Sequence, residues 1–200
     1  MGRVHVTPDP FTMVPYEVPV IAGLVEEAAA LIGFPSDVEI DLEVDEDLPH
    51  PLLFTTSDIV DGRAVLWMSG GNFEDTQHNR RFSELFARRE LTQVLLRAND
   101  RLSEGFASAP PDTDLSLGER IAWDAWTHGR AGRLGIEVRP DRMRYDFRLQ
   151  HGFTDAADAA FDRLWDAQTL SWEGLREICK ETGAADRAPS KVPTDLLRRK

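Results

Sequence analysis

The sequence lacks the features that mark several special classes of protein. Its single cysteine, Cys179, cannot form an internal disulfide bond, so we expect a protein of a reducing compartment, the cytoplasm. Its apolar runs are only a few residues long, far short of the roughly 20 residues that cross a bilayer, which predicts no membrane partner. Residues 1–10 contain no apolar segment of the kind found in secretory signals.

Positive charge is also scarce, and it is unevenly distributed. The chain of 200 residues has a net charge of −12, and residues 1–75 contain two basic residues against fifteen acidic ones. A surface of this sign repels phosphates, which predicts no nucleic-acid partner. The asymmetry fits either two domains or one domain whose halves attract. Because no linker rich in Gly, Ser or Pro separates the halves, we expect one α+β domain over 1–182 and a loosely ordered tail over 183–200.

The periodicity of the first half predicts a helix, three strands and a second, long helix. Apolar residues recur at helical spacing over residues 17–32, which end at Gly33. Strands are expected at 38–44, 52–56 and 64–68, with an Asp61-Gly62 turn between the last two and an exposed sheet edge at 64–68. The long helix is expected from about Asn79 to Leu102.

The second half is predicted to be mainly helical. Ser116 and Glu119 form a capping box that begins a helix running to about Ala131. Residues 136–138 and 143–149 flank Pro140-Asp141 and are expected to form a hairpin, and two helices follow at 155–167 and 172–182. The fold class is therefore α+β: a small three-stranded sheet packed on a central helix, with additional C-terminal helices.

The central helix carries polar residues where apolar ones are expected. One face consists of Leu91, Val94, Leu95, Ala98 and Leu102, and a nearly opposite face of Phe82, Leu85, Phe86 and Leu96. Arg89 and Gln93 lie one turn apart in the middle of the second face, with Glu90 at its border. Burying a guanidinium and an amide costs free energy unless each has partners, so we expect a polar network, a cleft or a ligand there.

This arrangement resembles the zincin-like metallopeptidases, in particular the gluzincin layout, over residues 17–131. The central helix of that family carries the motif H-E-x-x-H, in which two histidines bind zinc and the glutamate activates water. The corresponding segment here is Arg89-Glu90-Leu91-Thr92-Gln93. Glu90 matches the glutamate, whereas Arg89 and Gln93 replace both histidines. The resemblance implies a third, acidic ligand on the next helix, which here carries Glu119, Asp124 and His128.

The two replacements imply that the zinc site is lost. Arginine stays protonated and has no free acceptor, and glutamine is a poor zinc ligand. We therefore expect no metal and no cofactor, and a non-catalytic interaction or regulatory protein. Arg89 would take the place of the metal charge by pairing with Glu90 or with a carboxylate such as Asp124. An ordinary buried polar network that stabilises a helix pair remains the alternative.

A different class of function is a hydrolase that uses Glu90 with Asp124 and His128. Asp124 and His128 lie at i and i+4 and can form a hydrogen bond, which would orient the imidazole. No G-x-S-x-G nucleophile motif accompanies them. Arg130 ends the same segment and is a candidate for a ligand site or a polar network.

Three surfaces are candidates for partners. A protein or peptide could add a strand along the edge expected at 64–68. The basic cluster Arg130, Arg133, Arg139, Arg142, Arg144 and Arg148 could bind an anion, although we expect it to pair with the acidic first half. The aromatic-rich segment from Phe153 to Ile178 is expected either to cap the core or to form the face of a homodimer.

Overall fold

The computed structural model describes residues 3–75 and 77–184, which fall into two compact units. Unit 1 spans Met1–Leu102 and unit 2 spans Ser103–Lys200. The expectation of one domain over residues 1–182 stays a prediction. Most of the tail expected to be loosely ordered, residues 185–200, lies outside the described residues.

Unit 1 contains a four-stranded sheet, not the three-stranded sheet that the sequence predicts. The strands are β1 (Val4–Thr7), β2 (Ile40–Asp45), β3 (Thr55–Val60) and β4 (Arg63–Ser69), in the order β1-β2-β4-β3. The fourth member is β1, which pairs in parallel with β2 and places Val4 opposite Ile40. This pairing joins segments more than 30 residues apart. The sequence pattern around residues 4–7 therefore does not indicate a partner strand.

The sheet edge expected at residues 64–68 is wrong. These residues lie in β4, which pairs in parallel with β2 on one side and antiparallel with β3 on the other. The predicted turn is confirmed: Asp61 and Gly62 have φ angles of 51° and 77° and fold β3 back onto β4. The edges of the sheet are therefore β1 and β3.

Two helices complete the core of unit 1. Helix α1 (Val18–Ile32) ends at Gly33, whose φ of 71° is the left-handed conformation expected of a helix-ending glycine. Helix α2 (Glu84–Arg101) begins after Ser83, whose hydroxyl accepts a hydrogen bond from the backbone N–H of Phe86. Both helices and the buried, alternate residues of the strands contribute to one apolar cluster.

The start of α2 differs from the prediction of Asn79. The segment before the helix instead contains β5 (Glu74–Asp75) and β6 (His78–Phe82), which pair antiparallel. The physical reason is the cap: Ser83 satisfies a backbone donor of the first turn, so the helix begins at the next residue. The segment before it contains mostly polar residues and carries no apolar alternation that would indicate a strand.

Unit 2 is helical in its described residues, with α3 (Leu117–Arg133), α4 (Pro140–His151), α5 (Asp155–Asp166) and α6 (Trp172–Glu181). The capping box of Ser116 and Glu119 is confirmed at the start of α3. The hairpin expected around Pro140-Asp141 is wrong, because Pro140 occupies the first turn of α4, where a missing N–H costs nothing. Within the described residues, no helix of either unit is long and apolar enough to cross a membrane.

Candidate functional site

The segment Arg89–Gln93 lies in the middle of α2. Leu91 and Leu95 are fully buried in the apolar cluster of unit 1. Arg89 and Gln93 project on the other side of the helix, since each lies two residues from Leu91. Gln93 is 8% exposed, and the side chains of Arg89 and Glu90 are 24% and 18% exposed. The polar face of the helix is therefore largely withdrawn from solvent.

Arg89 and Glu90 form an ion pair. Arg89 Nε donates to Glu90 Oε1 at 2.9 Å, and the guanidinium carbon lies 4.1 Å from the centre of the Phe86 ring. Glu90 is thus one of the two carboxylates expected as partners of Arg89. Because the guanidinium stays protonated, it supplies a fixed positive charge to the carboxylate of Glu90.

Gln93 has no hydrogen-bond partner for either side-chain polar atom, Nε2 or Oε1. A buried amide without partners costs about 1–3 kcal/mol. Its neighbour Thr92 is satisfied, because its hydroxyl donates to the backbone carbonyl of Arg88 at 2.7 Å. Gln93 is thus a polar group that a stability argument alone does not explain.

The apolar face expected around this polar group is smaller than predicted. Phe82 lies in β6 and not in the helix, and Leu85 in the first turn is exposed. Leu96 is buried as expected. The difference follows from the later start of α2, which leaves its first turn without the apolar neighbours that the sequence suggested.

The acidic residues that the resemblance implies as a third metal ligand do not gather into a metal site. No group of three or more His, Cys, Asp or Glu side chains that could hold a metal ion occurs within residues 3–75 and 77–184. Glu119 is engaged inside unit 2, since its carboxylate accepts from the backbone N–H of Ser116 and lies 3.4 Å from Arg176 Nε.

The hydrogen bond of His128 differs from the expected one. Its Nδ1 lies 2.7 Å from the backbone carbonyl oxygen of Asp124, not from the carboxylate. A carbonyl oxygen only accepts, so Nδ1 carries the proton and donates, and Nε2 of the neutral ring is left as an acceptor. The pair therefore fixes the imidazole tautomer through the backbone of α3. Arg130 stacks on Trp126 in the same helix, with its guanidinium carbon 3.7 Å from the ring centre.

Three arginines of the basic cluster, Arg142, Arg144 and Arg148, pair within unit 2. Arg148 holds Asp158 through two bonds of 2.7 and 2.6 Å, from Nε and from an Nη. Arg144 pairs with Asp162, and Arg142 with Asp146. The expectation that these arginines pair with the acidic first half is wrong for these three, because α4 and α5 supply carboxylates nearer along the chain.

Cys179 is not placed as a nucleophile. The thiol is fully buried in the core of unit 2. Burial, together with the nearby Glu119 carboxylate, raises the pKa of Cys179 to about 12. At neutral pH the reactive thiolate is thus a negligible fraction.

Unit 1 also contains a second group of buried polar residues. Glu74 and Asn72 are fully buried, and Glu74 Oε1 and Asn72 Oδ1 have no hydrogen-bond partner. Glu74 Oε2 accepts from the backbone N–H of Arg80 at 2.8 Å and of His50 at 3.3 Å. These two donors belong to separate segments of the chain, so a linear pattern carries no signal for them.

Comparison with known proteins identifies no relative, so any functional proposal depends on the residues and contacts of α2. No protein-family model, curated protein or solved structure matches the chain.

Proposed function

We propose that this chain is a zincin-like protein that has lost its zinc site and acts without catalysis, as an interaction or regulatory module. The observation that carries the proposal is the ion pair of Arg89 and Glu90 beside the unpartnered amide of Gln93. These three residues occupy the motif positions at which the family has two zinc ligands and a general base.

The topology of unit 1 supports the proposed kinship. Helix α1 precedes β2, β3 and β4, and α2 follows them. The edge strand β3 runs antiparallel to β4, whereas β1, β2 and β4 run parallel. Helix α2 packs against β3 and α1. A helix, three strands that include an exposed edge strand, and then a helix with polar residues at i and i+4 are the order on which the resemblance rests.

The chemistry of the three positions supports a non-catalytic role. A zincin glutamate acts on a water molecule that a zinc ion polarises. Here the guanidinium of Arg89 contacts Glu90 directly and cannot bind a water as a Lewis acid does. Arg89 therefore retains the positive charge of a zinc ion but offers no open coordination position.

Restoring the two histidines tests the proposal. Arg89→His/Gln93→His recreates two imidazoles at i and i+4 beside Glu90. The matched control is Glu26→His/Ala30→His, which places the same spacing on exposed positions of α1. Both variants are titrated with Zn²⁺ by calorimetry, after circular dichroism has shown that they are folded.

We expect the α2 variant to bind Zn²⁺ at least about tenfold more tightly than the α1 control, because its two imidazoles would lie beside the largely buried Glu90 carboxylate, whereas the control pair is exposed. Equal affinities would mean that the two histidines on α2 bind Zn²⁺ no better than two histidines on an exposed helix. That result contradicts the zincin-like assignment.

A hydrolase that uses Glu90 with Asp124 and His128 is the second candidate. The observation that favours it is the His128 tautomer, which leaves Nε2 able to accept a proton. If purified chain hydrolyses esters or peptides, Glu90→Gln and His128→Ala should each abolish that activity. Activity that survives both substitutions removes these residues as its source.

A further inference from the structure

Two fully buried oxygen atoms of unit 1 have no hydrogen-bond donor. They are Oδ1 of Asn72 and Oε1 of Glu74, and both residues are 0% exposed. The orientation of the Asn72 amide is fixed, because its Nδ2 lies 2.8 Å from the backbone oxygen of Phe54 and 3.0 Å from that of Ser69, and a carbonyl oxygen only accepts. Each of the two side-chain oxygens is therefore a buried acceptor that calls for a donor or a cation.

Asn72 and Glu74 contact the same short segment of the chain. Glu74 Oε2 accepts from the backbone N–H of His50 at 3.3 Å, and the amide of Asn72 donates to the backbone oxygen of Phe54. Only one residue separates Asn72 from Glu74 along the chain. Both side chains therefore lie against residues 50–54, at the turn that follows β4.

The charges around Glu74 do not balance. Among the described residues, no basic side chain forms an ion pair with Glu74, whose Oε2 accepts only from backbone N–H groups. The charges that act on the pKa of the buried Tyr16 are those of Glu74, Arg80 and Glu46, so these three groups lie in one neighbourhood. Arg80 Nη1 donates to the backbone oxygen of Glu46 at 2.6 Å and not to a carboxylate.

Two carboxylates and one guanidinium leave one excess negative charge in this neighbourhood. Tyr16 does not change that balance. Burial raises the pKa of its hydroxyl well above the usual value, so the group stays neutral, and it donates to the backbone oxygen of Gly70 at 3.3 Å. A buried charge without a partner costs free energy, so the excess charge of Glu74 calls for a positive counterpart.

We propose that a monovalent cation, Na⁺ or K⁺, binds to Glu74 Oε1 and Asn72 Oδ1. Hard cations take oxygen ligands, and a carboxylate and an amide carbonyl both supply them. One positive charge cancels the one excess negative charge, whereas a divalent ion would leave a buried positive charge. A buried water molecule can donate to both oxygens, but it leaves the charge of the carboxylate uncompensated.

The bound cation would tie residues 50–54 to the turn after β4 and stabilise unit 1. With a single carboxylate, this site differs from the groups of three or more His, Cys, Asp or Glu side chains that hold most protein metals. The inference is independent of the proposed function, because it uses no residue of α2.

Thermal denaturation of the chain of 200 residues tests the inference. NaCl or KCl replaces choline chloride stepwise at a constant total concentration of about 200 mM, so that ionic strength and chloride do not change. We expect the midpoint of unfolding to rise by about 3 °C and to saturate, because a ligand that binds only the folded state stabilises it. The rise should differ among Li⁺, Na⁺, K⁺ and Cs⁺, since a buried site accepts one ionic radius best.

Glu74→Gln keeps the shape of the side chain and removes its charge, so its midpoint should no longer respond to Na⁺ or K⁺. The matched control is Glu43→Gln, which removes an exposed carboxylate from β2 of the same unit and should respond like the wild type.

Three results would overturn the inference. The first is a wild-type midpoint that is the same in choline, sodium and potassium chloride, which leaves the two oxygens to water or a proton. The second is an equal rise with all four alkali ions, which is a general salt effect. The third is a response that Glu74→Gln retains. If circular dichroism shows that Glu74→Gln does not fold, the wild-type series decides alone.

Discussion

At the scale of single residues, Gln93 and the pair of Arg89 and Glu90 represent two ways to place polar groups away from water. The ion pair satisfies its own charges, since the carboxylate accepts from the guanidinium and the ring of Phe86 covers the guanidinium face. Gln93 has neither a donor nor an acceptor opposite its amide. If evolution had selected this position for stability alone, an aliphatic side chain would serve better.

Replacing Gln93 by leucine should therefore stabilise the protein. Gln93→Leu keeps the volume and removes the unpartnered amide, so we expect the free energy of unfolding to rise by about 1 kcal/mol. Urea denaturation followed by circular dichroism measures the change. Gln93→Ala is the control, because it removes the amide but leaves a cavity and should not stabilise. A loss of more than about 1 kcal/mol in Gln93→Leu would show that the amide does have a partner.

At the scale of secondary-structure elements, the sequence correctly predicts the helix ends and turns that a few adjacent residues determine. Gly33 ends α1, Asp61-Gly62 turns between β3 and β4, and Ser116 with Glu119 begins α3, as expected. Each of these signals depends on one to four adjacent residues. Local backbone rules therefore suffice to place them.

The failures at this scale have two causes. In α4, the alternation of Met143, Tyr145, Phe147 and Leu149 with charged residues predicts a strand of a hairpin. The same residues also fit a helix, in which Met143 and Phe147 share the buried face and Tyr145 and Leu149 share the exposed one. The order of the sheet, which places β4 inside and β3 at the edge, depends on pairing between distant segments.

The candidate site was predictable only in part. The residue types at positions 89, 90 and 93 are visible in the sequence, and so is their common helix. Which carboxylate Arg89 contacts, and the backbone partner of His128, depend on side-chain conformations that a linear pattern does not encode.

The junction after β4 should tolerate no side chain at Gly71. A Cβ there would lie 2.6 Å from the carbonyl oxygen of Leu52 and 2.7 Å from the backbone nitrogen of His50. We expect Gly71→Ala to lower the free energy of unfolding by about 2–4 kcal/mol, because the obstacle is backbone and cannot rotate away. Thermal and urea denaturation measure the effect.

The matched control is Gly23→Ala in α1, where a Cβ would meet nothing within 4 Å. Since alanine favours a helix over glycine, this variant should gain about 0.5–1 kcal/mol. Equal effects of the two substitutions would contradict the close approach of the loop around His50 to Gly71.

At the scale of the whole molecule, an acidic chain should lose stability as its paired carboxylates are protonated. The hydrogen bonds that Arg148 donates to Asp158 hold the pKa of that carboxyl below its usual value, against a smaller opposing effect of burial. A pKa that is lower in the folded than in the unfolded state stabilises the fold above the unfolded value of about 4. That contribution disappears as the pH falls through the folded value.

Asp158→Asn should therefore be less stable than the wild type at pH 7, and the difference should shrink as the pH is lowered from 7 to 2 and the wild-type carboxylate gains protons. Urea denaturation at both pH values measures the two differences. Asp166→Asn, which removes an exposed carboxylate from the same helix, controls for the change in net charge. A difference that persists unchanged at pH 2 would assign the effect of Asp158 to packing and not to its charge.

The proposed loss of the zinc site applies to the whole protein and has one direct test. The wild-type chain of 200 residues is expressed in zinc-supplemented medium and purified without chelator, and its metal content is measured by mass spectrometry. The proposal puts Arg89 and Gln93 in place of the two histidine ligands, so we expect less than about 0.1 zinc per chain. A content near one zinc per chain would contradict the account.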